Sequence, residues 1–438
     1  MIDLSEYFGR RLPANTSTAK LGTGKLAIQQ VGQHYQCQRC QQWLADSNQL
    51  PNGAWYCRQC LQLGRVTSRT KLYTIPEPNR FSLPESPLTW VGQLSPDQQQ
   101  AAESIRWHVQ RSQDQLLWAV TGAGKTEIVY PALAWAVAQG WRIAWASPRV
   151  DVCLELAPRI QAAFAAVSQC LLYGEQTVPY QYSQLTICTT HQLLRFERAF
   201  DWIIIDEVDA FPLATSPLLQ LAITRAEKPT GHHLYLTATP GEKLQRQIRQ
   251  RTLVTTYLPL RYHGYLLPQL QVQLAWHWRE QLRKGRLPRR LIRQLLAYLR
   301  QGQRFLLFVP HVRDLPEIMG ALTQQGIRGG VSVHAADPER TTKVQALRDQ
   351  KVSFLVTTTI LERGVTFPDI AVVILGGDDA IFSTAALVQI AGRAGRSADF
   401  PGGEVTCYVQ TQTRVVRHAQ SMIARLNRQG KQRGGRRP

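Results

Sequence analysis

The chain has 438 residues, enough for two or three domains with sizeable cores. Its 44% hydrophobic and 19% charged residues are ordinary for a globular protein. The charge balance is not: 51 Lys+Arg against 31 Asp+Glu leave a formal charge of +20 and a pI near 10.0. Such a surface concentrates polyanions, so nucleic acid is the first partner to consider and anionic lipid headgroups the second. A basic protein that is merely soluble is the plain alternative. The most apolar long stretch, Pro131 to Pro148, is interrupted by Gln139, Gly140 and Arg142. It falls short of the ~20 clean apolar residues of a membrane span. Met1 through Gln30 hold no apolar run of signal-peptide type. The expectation is a cytoplasmic chain, where paired cysteines suggest metal before disulfide.

Four of the eight cysteines give that metal signal first. Cys37-x-x-Cys40 and Cys57-x-x-Cys60, with sixteen residues between the pairs, match the spacing of a zinc ribbon. Each short pair is a knuckle that points two thiolates at one tetrahedral ion. Asn52-Gly53, within the span, is a hairpin-turn signal. His34 sits nearby, but four thiolates complete the shell and leave it a surface histidine. Trp43, Trp55 and Tyr56 are available to stack on bases, although in so small a module such rings more often form its core. Cys153, Cys170, Cys188 and Cys407 lie in apolar settings and read as reduced core thiols.

A Pro-rich stretch from Ile75 to Pro87 is too stiff for a helix or a central strand and reads as a linker. A helix start follows, with Ser95 as N-cap and Pro96 in the first position. From Leu116 to Pro240, apolar strands alternate with helical stretches, at Arg142–Ala146, Leu185–Cys188, Trp202–Ile205 and His233–Leu236. That alternation implies a parallel sheet covered on both faces.

The first strand leads into Ala119-Val120-Thr121-Gly122-Ala123-Gly124-Lys125-Thr126, a P-loop with Ala in place of its first Gly. Gly122 and Gly124 let the backbone curl around an anion and aim N–H groups inward. Thr121 and Ala123 belong to the same cradle; Lys125 reaches the β- and γ-phosphates of ATP, and Thr126 offers its hydroxyl to Mg²⁺. Asp206-Glu207-Val208-Asp209 ends the strand Trp202–Ile205. There Asp206 can meet the Mg²⁺ and Glu207 can orient the attacking water. Thr237-Ala238-Thr239 ends the next strand, where small hydroxyl residues can link the nucleotide site to a second domain.

A second α/β unit begins after a less regular segment, residues 250–286. Leu287, Leu291, Ile292, Leu295, Leu296 and Leu299 line one side of a helix. Arg289, Arg290, Arg293 and Arg300 lie elsewhere around it, first as a solvated face and only second as a DNA contact. Strands follow at Phe305–Val309, Phe354–Thr357 and Ala371–Leu375. Thr357 to Thr366 leaves a strand and turns, and Gln389-Ile390-Ala391-Gly392-Arg393-Ala394-Gly395-Arg396 ends the series. Either arginine of that last motif can reach a γ-phosphate. From Arg425 onward the composition reads as a basic disordered tail.

In this order, A-x-T-G-x-G-K-T, D-E-x-D, T-A-T and Q-x-x-G-R-x-G-R resemble the motifs of superfamily 2 helicases across residues 94 to 396. The resemblance implies α/β architecture, with two tandem RecA-like domains after the zinc-ribbon-like module. The boundaries expected are 1–80, 81–255, 256–424 and a tail at 425–438. The resemblance also implies an adenine contact at Gln98 and a nucleotide contact at Gly364. Nucleic-acid contacts are implied at Ser147, Pro148, Arg149, Thr189, Thr190, His191, Gln192, Thr358 and Thr359. The last motif begins with Gln389 rather than the His-Arg of DEAD-box RNA helicases, and Val208 replaces their Ala. Both differences favour DNA over RNA.

A four-Cys ribbon ahead of the first motor motif, together with D-E-V-D and T-T-x-I-L-E-R-G-V-T-F, resembles the late competence protein ComFA family. The primosomal helicase PriA is near in motif style, but its zinc cysteines lie within the second motor domain. The ComFA resemblance implies a DNA-dependent ATPase with ATP, Mg²⁺ and Zn²⁺ as cofactors. It implies translocation of single-stranded DNA during uptake of transforming DNA, at the inner face of the cell membrane. It further implies the partner protein ComFC and the membrane DNA channel ComEC, and leaves self-association open. A replication-restart or repair helicase, an RNA helicase and a non-catalytic zinc DNA-binding module are the competing classes; a full set of ATPase motifs argues against the last.

Overall fold

The computed structural model describes residues 3–13, 21, 23–174, 176, 178–362, 364–365, 367, 369–396 and 401–436. The chain divides into two units, Met1–Trp118 with Lys125–Tyr257, and Ala119–Gly124 with Leu258–Pro438. No helix among the described residues is long and apolar enough to cross a membrane.

The N-terminal region holds short strands: β1 (Leu12–Pro13), β2 (Lys25–Leu26), β3 (Ile28–Val31), β4 (His34–Cys37), β5 (Trp43–Leu44) and β6 (Lys71–Tyr73). They form two small antiparallel sheets, ordered β1-β6-β2 and β3-β4-β5. The Asn52-Gly53 turn forms: Gly53 adopts φ +77° and donates to the Leu50 carbonyl at 2.9 Å, while Leu50 N–H donates to Ala54 at 2.8 Å. Trp55 stacks on Tyr35, ring centroids 4.3 Å apart, and packs into the core. Trp43 differs from the expected core role: it lies 51% exposed on the short strand β5.

The first unit continues with α1 (Pro96–Val109), β7 (Gln115–Ala119), α2 (Lys125–Ala138), β8 (Ile143–Ser147), α3 (Val150–Ala163) and β9 (Gln169–Leu172). Then come β10 (Leu185–Thr189), β11 (Phe200–Asp206), α4 (Pro217–Ala226), β12 (Glu227–Thr237), α5 (Glu242–Arg249) and β13 (Val254–Leu258). The start of α1 is a reciprocal box: Ser95 Oγ accepts the Gln98 N–H at 3.4 Å, and Gln98 Oε1 accepts the Ser95 N–H at 2.9 Å. The sheet order is β13-β7-β12-β11-β8-β10-β9, and the pairs β7–β12, β12–β11, β11–β8, β8–β10 and β10–β9 are parallel. Every residue of β8 and β10 is buried, as a parallel sheet covered on both faces requires.

The Pro-rich stretch is no free tether. Glu77 forms a fully buried ion pair with Arg142, just before β8, within the first unit. Arg142 also donates to the Phe8 carbonyl at 2.9 Å and to the Tyr180 hydroxyl at 2.6 Å. The rings of Tyr182, Phe196 and Phe200 surround its guanidinium, centroids 4.9–5.5 Å away. The ribbon docks beside it. Arg225 of α4 donates to the carbonyls of Gln38 (3.0 Å) and Arg39 in the first knuckle, and all four ribbon cysteines share a core with Phe196, Ala199 and Ala222.

The second unit runs β14 (Leu270–Leu274), α6 (Trp278–Arg283), α7 (Arg289–Arg300), β15 (Arg304–Phe308), α8 (Asp314–Gln324) and β16 (Gly330–Val333). It ends with α9 (Arg340–Arg348), β17 (Phe354–Thr357), β18 (Ile370–Leu375), α10 (Thr384–Ala391), β19 (Val405–Val409) and α11 (Arg414–Gln432). Its sheet, ordered β14-β19-β18-β15-β17-β16, is parallel throughout. Leu291, Leu295 and Tyr298 of α7 are buried in its core, as the apolar spacing predicts.

The basic end of the chain corrects the expectation of a disordered tail. Residues 425–432 continue α11, with Leu426, Asn427 and Gly430 buried. Asn427 exchanges two hydrogen bonds of 2.9 Å with the Leu267 backbone, and Arg436 N–H donates to the Gly264 carbonyl at 2.9 Å. A buried face of small and amide residues is hard to see among so many Arg, Gln and Gly.

Glu77→Gln removes the counter-charge of a fully buried arginine, which costs about 3–5 kcal/mol in such pairs. Urea unfolding should show a clearly lower midpoint for this variant. A midpoint equal to the parental value would refute the role given to the pair.

Candidate functional site

In a parallel sheet all carboxyl ends lie along one edge, where loops and helix starts gather polar groups. The register of the first sheet lines up the motif residues there. Thr189 pairs with Ser147, Ile205 with Ala146, Asp206 with Leu236, and Thr237 with Trp118, next to Ala119. Each strand-end motif therefore emerges on the same edge.

The loop after β7 has the backbone its glycines suggest. Gly122 takes φ +84° and Gly124 φ +74°, a region that side chains resist. Lys125 and Thr126 open α2, Lys125 half-exposed and Thr126 buried in the first turn. A helix start with free N–H groups favours an anion. Within the second unit, which takes in Ala119–Gly124, Thr121 Oγ1 donates to Gln389 Oε1 at 3.1 Å.

Asp206 closes β11, and its Oδ1 accepts the N–H of Glu207 at 2.8 Å. Glu207 sits at φ +52°, a left-handed conformation uncommon for a residue with a side chain. Such strain persists only where the surroundings enforce it, and it gathers at functional sites.

Asp209 was given no role by the sequence, and the structure supplies one. Its carboxylate accepts the hydroxyl of Thr237 and, at 2.5 Å, that of Thr239, while Thr239 N–H donates to Thr237 Oγ1 at 2.9 Å. The last Asp of D-E-V-D thus clamps both threonines of T-A-T. Its place in that motif was the only sequence signal.

Several expected contacts are not where a ligand could touch them. Ser147 and Thr190 are fully buried, so neither presents surface to nucleic acid. Ser147 Oγ instead accepts the Arg149 N–H at 3.4 Å, holding the turn into α3. Pro148 is also buried and Thr189 nearly so; Arg149 and His191 are the half-exposed members of these two motifs. Burial lowers the His191 pKa, which favours the neutral ring. Gln98 is buried with its amide oxygen engaged at the α1 cap.

In the second unit, Thr358 is buried and Thr359 half-exposed at the end of β17. Gly364 takes φ +73°. Arg363 and Thr366 of this motif lie outside the described residues. Arg393 is buried, with Nε donating to the Glu362 carbonyl at 3.0 Å. Arg396 is half-exposed, its Nε donating to Gly392 at 3.2 Å. Arg261, which sequence reasoning passed over, lies buried beneath this loop and donates to the carbonyls of Gly395 and Gly392. Burial, with Arg396 nearby, pushes its pKa down to about 9.

The four ribbon thiols converge. Cys37 and Cys60 Sγ lie 3.7 Å apart, Cys40 and Cys57 Sγ 3.5 Å apart, and all four fall within 4.8 Å of one another. A tetrahedral zinc with ~2.3 Å bonds needs sulfurs ~3.8 Å apart, so the donor set fits.

Three protein-family models match the chain. They are the Competence protein ComFA N-terminal domain over residues 10–74, DEAD/DEAH box helicase over 95–247 and Helicase conserved C-terminal domain over 288–398. A competence protein ComFA of Bacillus subtilis (strain 168) is 38% identical over 397 residues, covering 90% of this chain and 86% of that one. A competence protein ComFA of Streptococcus pneumoniae (strain ATCC BAA-255 / R6) is 35% identical over 430 residues, covering 97% and 98%. Among solved structures, S. cerevisiae Dbp5 bound to RNA and ADP BeF3 superposes with TM-score 0.55 at 15% identity, covering 76% of this chain and 91% of that one. Mss116p bound to ssRNA and AMP-PNP gives TM-score 0.57 at 16% identity, covering 72% and 69%. At such identity these two likenesses establish the fold alone.

Asp209→Ala would leave the Thr237 and Thr239 hydroxyls buried without their shared acceptor, a loss of ~1–3 kcal/mol. Calorimetry should record a lower melting temperature; an unchanged one would mean the clamp is not structural.

Proposed function

Because this chain belongs to the competence protein ComFA family and is an ATP-hydrolysing, superfamily 2 helicase-like enzyme, we propose that it spends ATP on moving single-stranded DNA during uptake of transforming DNA. The observation that carries the reading is the alignment of the motif residues along one sheet edge. Lys125 holds the β- and γ-phosphates, and the N–H groups of Thr121–Gly124 wrap them. Thr126 and Asp206 would hold Mg²⁺, which supplies charge neutralisation between the phosphates. Glu207 orients the attacking water and takes its proton. The oxygen of that water bonds to the γ-phosphorus as the bond to the β–γ bridging oxygen breaks, leaving ADP and phosphate.

Positive charge must meet the transferring phosphoryl group. Arg396 suits this role because it is half-exposed, whereas Arg393 is buried and tied to the Glu362 carbonyl. Arg393 then positions the loop. DNA rather than RNA is supported by Gln389 and Val208, although Dbp5 and Mss116p are both bound to RNA in their solved structures. Arg149, His191 and Thr359 are the motif residues with surface to offer the strand. The net charge of +20 suits a sequence-independent hold on phosphates. A peripheral position at the inner membrane face, with ComFC and ComEC as partners, belongs to the same reading by way of the family.

An arginine of this type contributes ~10³ to 10⁵ in turnover. Arg396→Ala should keep most nucleotide affinity yet lose DNA-stimulated hydrolysis, while Lys125→Ala should weaken nucleotide binding itself. Single-turnover hydrolysis by Arg396→Ala at the parental rate would overturn the assignment. ATPase rates with single-stranded DNA, duplex DNA and RNA, together with a translocation assay, test the function; stimulation by RNA alone would defeat it.

The ribbon thiols would hold one zinc as a closed structural site, whose binding contributes directly to folding. Elemental analysis should find one zinc per chain, lost in Cys57→Ser along with a lower melting temperature. Metal-free protein purified without chelator would disprove it.

A further inference from the structure

Strand β14 is the terminal strand of the second sheet, and the chain leaving it is unlike the rest of the surface. Leu274 is 49% exposed and Trp276 66% exposed, and among the described residues no aromatic ring packs on the Trp276 indole. Gln281 Nε2 donates to the Trp276 carbonyl at 3.0 Å, and the Arg286 N–H donates to the Gln281 carbonyl at 2.9 Å. Arg290 of α7 donates to Gln273 of β14 at 3.4 Å. These bonds bring the backbones at Trp276 and Arg286 close through Gln281 and tie the start of α7 to β14. Arg283 and Lys284 precede Arg286, and Arg289 and Arg293 follow it on α7.

These cations are exposed, and among the described residues Arg283, Lys284, Arg286, Arg289 and Arg293 meet no carboxylate. From Trp276 to Arg300 the only acidic residue is Glu280, which faces His277 at 3.4 Å. Arg279 is different: it is paired with Asp314 and Asp379. Five cations without a carboxylate partner, in the same stretch as an exposed indole, form a surface that attracts polyanions.

We infer that Trp276 and the Arg283–Arg293 cations form a second binding surface for single-stranded nucleic acid, outside the helicase motifs. The inference rests on the DNA reading above. The arginines would take the sugar–phosphate backbone, and Trp276 would stack on a base, a combination that accepts any sequence. Planar guanidinium groups match phosphate oxygens two at a time, and four of these five unpaired cations are arginines. A membrane surface fits less well, because Trp276 and Leu274 offer too little contiguous apolar area to enter a lipid interface.

The test uses the full chain, a fluorescein-labelled polythymidine oligonucleotide and a salt series, with vesicles of phosphatidylserine and phosphatidylcholine in parallel. Charge reversal at Arg283, Arg286, Arg289 and Arg290 to Glu should weaken oligonucleotide binding at least ~10-fold and reduce the log–log salt slope by ~0.7 for each phosphate no longer neutralised. Trp276→Ala should weaken it on the order of tenfold, and Trp276→Phe should restore most of that affinity. Urea midpoints of the variants serve as the fold control, and Trp276→Ala removes a side chain the core does not use. Parental affinity and salt slope in both variants would overturn the inference while leaving the DNA reading intact. Loss of vesicle binding with unchanged oligonucleotide binding would assign the patch to lipid and overturn it too. A parental chain that binds no oligonucleotide would defeat both readings together.

Discussion

Parallel pairing constrains everything else in this molecule. Strands that run one way must each return through a helix or loop, so their carboxyl ends collect on one edge and the sheet is buried on both faces. Ser147, Thr189, Asp206 and Thr237 end neighbouring strands in matched register, and Ala119 ends β7 beside them. A slip of one residue in β11 would move Asp206 off that edge and turn its buried isoleucines to the opposite face. Ile203, Ile204 and Ile205 are all buried, so the strand feeds the core on both faces of the sheet. Chemistry and core are held by the same register.

The N-terminal region is attached to this scaffold by charge rather than by apolar area alone. Arg142 immediately precedes the strand that carries Ser147, and its guanidinium gathers Glu77, Phe8 and Tyr180 from segments far apart in sequence. Beside it, Asp201 at the start of β11 accepts the Arg142 N–H at 2.8 Å, Lys228 at 2.9 Å and Asn79 at 2.9 Å. Buried ions demand fixed partners, so these contacts specify one orientation of the linker. The ribbon inherits that orientation through Arg225, whose two bonds to the first knuckle tie the thiol cluster to α4.

Charge is also distributed with purpose. The arginines that fold the protein, Arg142, Arg225, Arg261 and Arg393, are largely enclosed and engage carbonyls or a carboxylate. By contrast Arg283 of α6 and Arg289 and Arg293 of α7 stand in solvent without an acidic partner among the described residues, whereas Arg279 of α6 is paired with Asp314 and Asp379. The net charge of +20 is therefore a mixture of internal struts and open surface, and composition alone does not separate the two.

What the sequence determined by itself was local or periodic. Cys37, Cys40, Cys57 and Cys60 announced a four-thiol cluster because knuckle spacing is a local geometry, and the P-loop glycines announced positive φ because only glycine takes it freely. The strands of the first unit were legible as short β-branched and apolar runs, and Ser95-Pro96 as a helix start. Tertiary structure decided whatever depended on distant partners. β13, β14 and the end of α11 lay in stretches too mixed in composition to read, because their stabilising contacts come from residues far along the chain, as Asn427 with Leu267 does. The clamp of Asp209 on Thr237 and Thr239, the burial of Ser147 and Thr190, and the difference between enclosed Arg393 and half-exposed Arg396 follow from packing. A motif names the residue types that meet at a site; which of their atoms reach solvent is set by the neighbours that the fold brings against them.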